Sequence, residues 1–417
     1  MNVVGIIAEY NPFHKGHAYH IAQAKARTGS DYAVVLMSPD FVQRGEPAVT
    51  DKYTRARMAL LAGADCVLEM PVCTATGAAR TFAQAGVALL EKTGVVTHLS
   101  FGSECGDLSR LLDAAELLAE EPEAYSAKLQ ESLKNGLSYP AASSRALAGL
   151  SENAADLTAS PNNLLALEYL KAILLRRSPL IPDTVPRIGD YTGTKLAGAA
   201  TSAGAIRRFL ETVSPHGLPR VFEPDSPLCD ALLPETISLY RASLHRSLPV
   251  FPDDFSSAFA CRLLCLPDEK LLDFEDVSED LAKRILRERK TISTFTAFAE
   301  ACKSRSYTRT RINRALIHIL LDVRKKELFR LKEQDYGGYL RILGFRSGFR
   351  PVLSEMKRKS PAVLLTKTAD APKRLSPEDY AVFEKNVFAS DIYRAVVSAR
   401  FRAPLKNEYT QGLILLP

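Results

Sequence analysis

The first hundred residues alternate between short unbroken apolar runs and longer stretches with helical spacing. "NVVGIIAEY", "DYAVVLMS", "DCVLEMP" and "VVTHLSFGS" are rich in β-branched residues and show no polar alternation. They predict four strands buried on both faces. Between them, "HAYHIAQAKARTG", "TDKYTRARMALLAGA" and "ATGAARTFAQAGVALLEKTG" repeat apolar residues three and four apart. These predict helices, the first closing at Gly29 and the second capped by Thr50. Such alternation builds an α/β fold with a parallel, doubly wound sheet.

From Asp107 to Leu150 the pattern is helical, and a further helix is predicted with Ser160 as N-cap and Pro161 as its first residue. "DTVPRIGDYTG" reads as strand and loop, and "TSAGAIRRFLETV" as a helix. Beyond "SPHGLP", near residue 215, strand patterns thin out. The chain then reads as mainly helical with Pro-marked breaks, until short apolar runs such as "PAVLLT". Three regions are expected: an α/β domain over 1–213, a mainly helical basic region over 214–360, and a small C-terminal α/β segment over 361–417 packing on the rest.

Charge sharpens this division. The formal net charge is +6, but residues 281–360 carry 21 Lys+Arg against 7 Asp+Glu. Residues 361–417 carry 8 against 6, which leaves 25 against 35 in residues 1–280. A basic block on an otherwise acidic chain is either a polyanion site or a solvated helical face. The seven cysteines are scattered without a C-x-x-C pair, and Cys261 and Cys265 in "FACRLLCL" read as one buried helix face. That usage predicts a reducing compartment. No basic leader or membrane-length apolar run is present, so a cytoplasmic protein without a membrane partner is expected. Nothing in the sequence signals an oligomeric state.

The densest chemistry lies in "GIIAEYNPFHKGHAYHIAQAKA", where His14, His17 and His20 make up three of the chain's seven histidines. They close the first strand and open the first helix. Ligands of doubly wound sheets gather at strand carboxyl ends, against helix N-termini whose free N–H groups suit a phosphate. Gly16 permits close backbone approach. His14 and His17, three apart, can face one anion, and Lys15 can add charge. Three readings follow: a polar loop with incidental histidines, an H-x-x-H-x-x-H metal site, and a nucleotide α-phosphate site. No Cys or carboxylate stands at the usual spacing for the second.

His14-Lys15-Gly16-His17 after a first strand resembles the H-x-G-H signature of the nucleotidylyltransferase superfamily, and "TSAGAIR", Thr201 to Arg207, resembles its second motif. With "QRGEPAVTDKYTRARMALLAGADCVLEMP", "SFGSECGDL", "SPNNLLALEYLKAI" and "YTRTRINRALIHILL", the chain resembles a narrower family, the tRNA(Met) cytidine acetate ligases, over nearly its whole length. The resemblance implies a Rossmann-like nucleotidylyltransferase fold. It implies a ligase that makes acetyl-adenylate from ATP and acetate, then acetylates the N4 amine of the wobble cytidine of elongator tRNA(Met). His14 and His17 would be the catalytic donors. ATP contacts would run along Ile7, Ala8, Glu9, Tyr10, Asn11, Pro12, Phe13, His14, Lys15, Gly16, His17 and His20, and include Gly102, Asn162, Arg187, Ser202 and Arg207. Mg²⁺ is expected with the nucleotide, with no carboxylate cluster to hold it.

Outside that resemblance, Gly102 reads as a strand-ending glycine, Asn162 and its neighbour Asn163 as capping residues, Arg187 as a surface arginine, and Thr201 and Ser202 as N-caps. The loop "FVQRGEPAVTDKY" brings Gln43, Arg44, Glu46 and Lys52 over the site, toward acetate or RNA. In the basic block Arg305, Arg309, Arg311 and Arg314 interleave with Tyr307, as a tRNA-binding surface requires. Ile312, Leu316, Ile319 and Leu320 form the packing face of the same helix. Two other functions compete: a nucleotidylyltransferase moving AMP to a small phosphorylated acceptor, and a non-catalytic RNA-binding protein. The basic helical half argues against the first, and the two intact motifs against the second.

Overall fold

The computed structural model describes residues 1–150, 154, 156–187, 196, 198–214 and 217–417. The strands are β1 (Val3–Ala8), β2 (Tyr32–Met37), β3 (Phe41–Val42), β4 (Glu46–Pro47), β5 (Cys66–Glu69), β6 (His98–Ser103), β7 (Ile181–Pro186), β8 (Tyr339–Arg346), β9 (Val363–Leu365) and β10 (Ile414–Leu416). Eight form one sheet in the order β10-β8-β5-β2-β1-β6-β7, with β9 also on β8; β3 and β4 make a separate hairpin.

The apolar runs are explained by two cores. Val3, Val34, Leu36, Cys66 and Leu68 face one, and Val4, Ile6, Ala33, Val35, Met37 and Val67 face the other. Side chains alternate across a strand, so a strand covered on both faces shows no polar positions. The pairs among β5, β2, β1, β6 and β7 are all parallel, as expected. The chain runs from β1 outward through β2 to β5, then returns to β6 on the other side of β1. That reversal opens a crevice at the carboxyl ends of β1 and β6.

Two features depart from the sequence reading. β8 pairs antiparallel with β5, and β10 lies parallel to β8, so residues 339–346 and 414–416 extend the N-terminal sheet into a mixed one. Cys261 and Cys265 are exposed, and the buried face of the helix Ser256–Leu264 is Phe259 and Leu263. All seven cysteines are free. The helical region has its own core around Phe255, Phe259, Phe298, Leu316 and Ile319, which also takes in Phe41 of the β3–β4 hairpin. Gly45 at the hairpin tip has φ 72, and a Cβ there would strike the backbone of Asn313 and Arg314. The hairpin therefore seats directly on the helix Arg309–Leu320. Among the described residues no helix is long and apolar enough to cross a membrane.

Candidate active site

Helix α1 (Lys15–Thr28) begins with an unusual cap. His14 is the N-cap residue, with extended backbone, and its Nδ1 accepts a hydrogen bond from the Gly16 N–H at 3.0 Å. His17 Nδ1 accepts from the His14 N–H at 3.3 Å. Two histidines thus make the reciprocal capping box usually built by Ser or Thr with Glu. A Cβ on Gly16 would lie 2.8 Å from the His14 ring, so only glycine lets that ring fold over the helix start.

The cap also sets the protons. An Nδ1 that accepts a backbone N–H carries no hydrogen, so each neutral ring holds its proton on Nε2. Burial, and then the positive charge of Arg187, push the His14 pKa down to about 3. Burial holds His17 well below the usual imidazole range, followed by the charges of His14, Arg187 and His20. Both are neutral Nε2–H donors at pH 7. His14 Nε2 is buried and has no hydrogen-bond partner. The rings of His14 and His17 lie 3.9 Å apart, and the Tyr10 ring meets His17 edge-on at 4.8 Å.

His20, less than one turn further on, is held across the sheet. Its Nε2 lies 3.2 Å from Ser100 Oγ, which donates to Asp183 Oδ2; Arg27 donates to the other carboxylate oxygen. Burial, with Arg187 next, lowers its pKa to about 4.

A cavity of about 140 Å³ is lined by His14, Lys15, Gly16, His17, His20, Gly102, Arg187, Thr201 and Ser202, among others. Segments that lie far apart in sequence meet there, at the crevice between β1 and β6. Arg187 is largely buried, and desolvation lowers its pKa, with Glu104 acting in the opposite direction. Ser202 caps the helix Ala203–Thr212 by accepting from the Ala205 N–H. A larger cleft of about 510 Å³ is lined by Asp40, Tyr53, Arg246, Tyr393 and Lys406, among others, but by no residue of the H-x-G-H stretch or of "TSAGAIR". The chemistry assigns the site to the smaller cavity.

Other predicted residues stand elsewhere. Ile7, Ala8, Glu9, Tyr10, Asn11, Pro12 and Phe13 do not line the cavity, and Phe13 is fully buried core. Asn162 donates to Glu104 Oε1 at 2.6 Å, while Asn163 Oδ1 accepts from the Glu104 and Cys105 N–H groups. Both asparagines pin the turn after β6. Arg207 does not open into the cavity: it donates to the Asn11 carbonyl at 2.5 Å and pairs with Glu46 at 3.6 Å. Lys15, by contrast, does line the cavity, with its ammonium donating to the Asp230 carbonyl.

Lys52 is a clear correction. It starts helix α2 (Lys52–Leu61) and is wholly buried, donating to Glu69, Ser390 and Glu408 at 2.5, 2.8 and 2.8 Å. Arg341 bridges the same two glutamates. The cap of this helix is Asp51, not Thr50, with the Asp51 side chain accepting from the Thr54 N–H. Sequence reasoning also missed Arg55, a fully buried guanidinium that donates to the carbonyls of Glu9, Ser38, Pro39 and Thr50. Its signal was an arginine on an apolar helix face.

The basic helix divides in two. Arg305 is exposed. Arg311 stacks on the Tyr307 ring at 4.8 Å, and the Tyr307 hydroxyl meets Ser278 Oγ. Arg309, however, pairs with Glu300 at 2.5 Å and donates to the Thr296 carbonyl. Arg314 is buried and forks onto Asp276 at 2.8 and 3.2 Å, which removes it from any RNA-facing set.

The family profile described as HIGH nucleotidyl transferase matches residues 1–408. The tRNA(Met) cytidine acetate ligase of Acetivibrio thermocellus is 38% identical across all of both chains, and that of a Geobacillus species 33% identical across all of both. Among solved structures, Thermotoga maritima TmcAL in an apo form has a TM-score of 0.90 at 29% identity. The same protein bound with alpha-thio ATP has a TM-score of 0.88 at 30% identity, and both cover all of each chain. The histidine cap, the doubly wound sheet and these full-length relatives agree: the chain belongs to the tRNA(Met) cytidine acetate ligase family of HIGH nucleotidyl transferases.

Proposed function

We propose that the enzyme activates acetate with ATP and acetylates the N4 amine of the wobble cytidine of elongator tRNA(Met). The observation that carries the first step is the pair of neutral Nε2–H donors at the start of α1, one of them buried without a partner on the wall of the cavity. An acetate oxygen attacks the α-phosphorus, and the bond to the bridging oxygen breaks. Pyrophosphate leaves with that electron pair, and acetyl-adenylate forms. Negative charge grows on the phosphoryl oxygens, where fixed donors need no reorganisation. Neutral donors serve there without forming an ion pair that would hold the ground state. Arg187, on the same wall, supplies positive charge toward the nucleotide.

In the second step the cytidine amine attacks the acetyl carbonyl, AMP leaves with the C–O electron pair, and the amine loses a proton. That amine is a weak nucleophile, so alignment does most of the work. The ATP-analogue complex of the Thermotoga maritima relative supports ATP as the nucleotide, and the relatives' names support tRNA(Met) as acceptor. Mg²⁺ would arrive on the nucleotide's own phosphates; among the described residues no group of three or more His, Cys, Asp or Glu could hold a metal ion.

The tRNA surface we infer includes Arg305, Tyr307 and Arg311, with Arg309 shared with Glu300. Residues 1–213 would carry the adenylation chemistry, and the helical region the RNA. Incubation with ATP, labelled acetate and total tRNA tests the reading. N4-acetylcytidine in the digested tRNA is the expected product; its absence, with ATP consumed, would overturn the assignment.

A further inference from the structure

The loop that joins β1 to α1 is held by its carbonyl groups. Arg55, from α2, donates to the Glu9 carbonyl at 2.7 Å. Arg207, from the helix Ala203–Thr212, donates to the Asn11 carbonyl at 2.5 Å. The Tyr240 hydroxyl, from the helix Pro234–Ser243, donates to the Phe13 carbonyl. Three side chains from three elements thus fix alternate residues of one short segment. Buried carbonyls need partners of some kind. The Phe13 carbonyl differs from the other two in what stands at the far end of its peptide plane.

The Phe13 carbonyl and the His14 N–H belong to one rigid trans peptide unit and point in opposite directions. The His14 N–H donates to His17 Nδ1 at 3.3 Å. A continuous line of hydrogen bonds therefore runs from the Tyr240 hydroxyl, through that plane, to the His17 ring. At 3.3 Å the last contact is long for an N–H donor, so it depends on good alignment. A peptide plane free to rock would swing the N–H off Nδ1. A hydrogen bond on the carbonyl also polarises the amide and strengthens its N–H as a donor.

Tyr240 is itself fixed. It is 1% exposed, and its ring stacks on Phe222 with centroids 5.5 Å apart and 11° between the planes. Burial, ahead of the opposing charge of Arg55, raises the pKa of the phenol, so the hydroxyl keeps its hydrogen at pH 7. Phe13 is 0% exposed, so its carbonyl has no bulk water to turn to if the hydroxyl is removed.

We propose that Tyr240 is a positioning residue for adenylation: through the Phe13–His14 peptide it fixes the tautomer and orientation of the His17 ring. His17 keeps its proton on Nε2 while Nδ1 is occupied by an N–H donor. A donor aimed at developing charge loses its effect when the ring turns or when its proton moves to the other nitrogen. His14 does not depend on Tyr240 in this way, because its Nδ1 accepts from the Gly16 N–H inside α1. The inference rests on the adenylation reading, and it brings a residue outside 1–213 into that chemistry.

Tyr240→Phe removes one oxygen and keeps the ring. Tyr336→Phe is the control: its hydroxyl donates to Gln84 Oε1 at 2.9 Å, and it neither lines the nucleotide cavity nor bonds the loop. In acetate-dependent ATP–pyrophosphate exchange on the full chain, Tyr240→Phe should lower kcat about tenfold. Both KM values should stay within about twofold of wild type, the pattern of an interaction felt only in the transition state. Nitrogen-15 NMR at pH 7 should show part of the His17 population protonated on Nδ1, with His14 unchanged. The control should lose comparable stability by Tm and move neither readout. A kcat within about twofold of wild type overturns the proposal, as does a His17 ring still protonated on Nε2 alone. A control that lowers kcat as much also overturns it. No exchange by the wild type would sink the adenylation reading itself, and an unmoved His17 spectrum would still separately overturn the role of Tyr240.

Discussion

The start of α1 and the start of the helix Arg309–Leu320 are both crowded with chemistry-bearing side chains, yet the first leaves its donors available while the second pairs off Arg309 and Arg314. His14 and His17 satisfy one another through Nδ1 and the backbone, and each keeps its Nε2 proton for something else. In the second, Arg309 and Arg314 meet Glu300 and Asp276, which arrive from neighbouring elements. A motif whose members cap each other carries its geometry with it. A charge count does not, because it omits the acids that folding brings alongside.

Four experiments would break or sharpen that contrast. Arg314→Ala should have the largest effect, because it strands a buried Asp276: about 3–5 kcal/mol of stability by urea unfolding, with tRNA affinity per folded molecule unchanged. A stable variant with weakened tRNA binding would return Arg314 to the RNA surface. His17→Ala should slow acetate-dependent exchange on the order of a hundredfold, as the loss of one charge-stabilising donor does, with the fold intact by circular dichroism. A wild-type rate there would dissolve the contrast from the other side.

Arg305→Ala combined with Arg311→Ala should weaken tRNA binding and leave exchange alone. The slope of log affinity against log salt should become shallower by about one for each phosphate that is no longer neutralised. Unchanged affinity in a stable double variant would leave the basic helix with no role in RNA binding. The smallest effect concerns pH. His20 has a folded pKa of about 4 against an ordinary 6.5, so between those values the unfolded chain binds a proton that the folded chain does not. Stability therefore falls as pH falls through that window. In His20→Gln the fall in Tm from pH 6.5 to 4 should be shallower, and a profile that overlays the wild type would contradict the lowered pKa.

The central sheet and the histidine cluster were legible in the sequence because their signals are local. Strands buried on both faces show as unbroken apolar runs, and a helix start written in four residues keeps its spacing. Gly102 and Arg187 carried no local signal, and only the resemblance pointed to them. Lys52 was misread because a lysine in a polar loop normally faces water; its partner Glu408 lies 356 positions away. The antiparallel place of β8 and the return of β10 were hidden for the same reason, since a strand partner tens to hundreds of residues distant leaves no mark on periodicity. Arg314 shows the same limit, its acid lying 38 positions upstream on another element.

The central claim is that His14 and His17 act as neutral Nε2–H donors, fixed by the cap they form together. Nitrogen-15 NMR of histidine-labelled enzyme reads this directly. Both rings should show a protonated Nε2 and an unprotonated Nδ1 at pH 7, and neither should take up a second proton in the usual imidazole range near pH 6.5, consistent with burial and the neighbouring Arg187 charge. A proton on Nδ1 in either ring, or an imidazolium near pH 6.5, would contradict it.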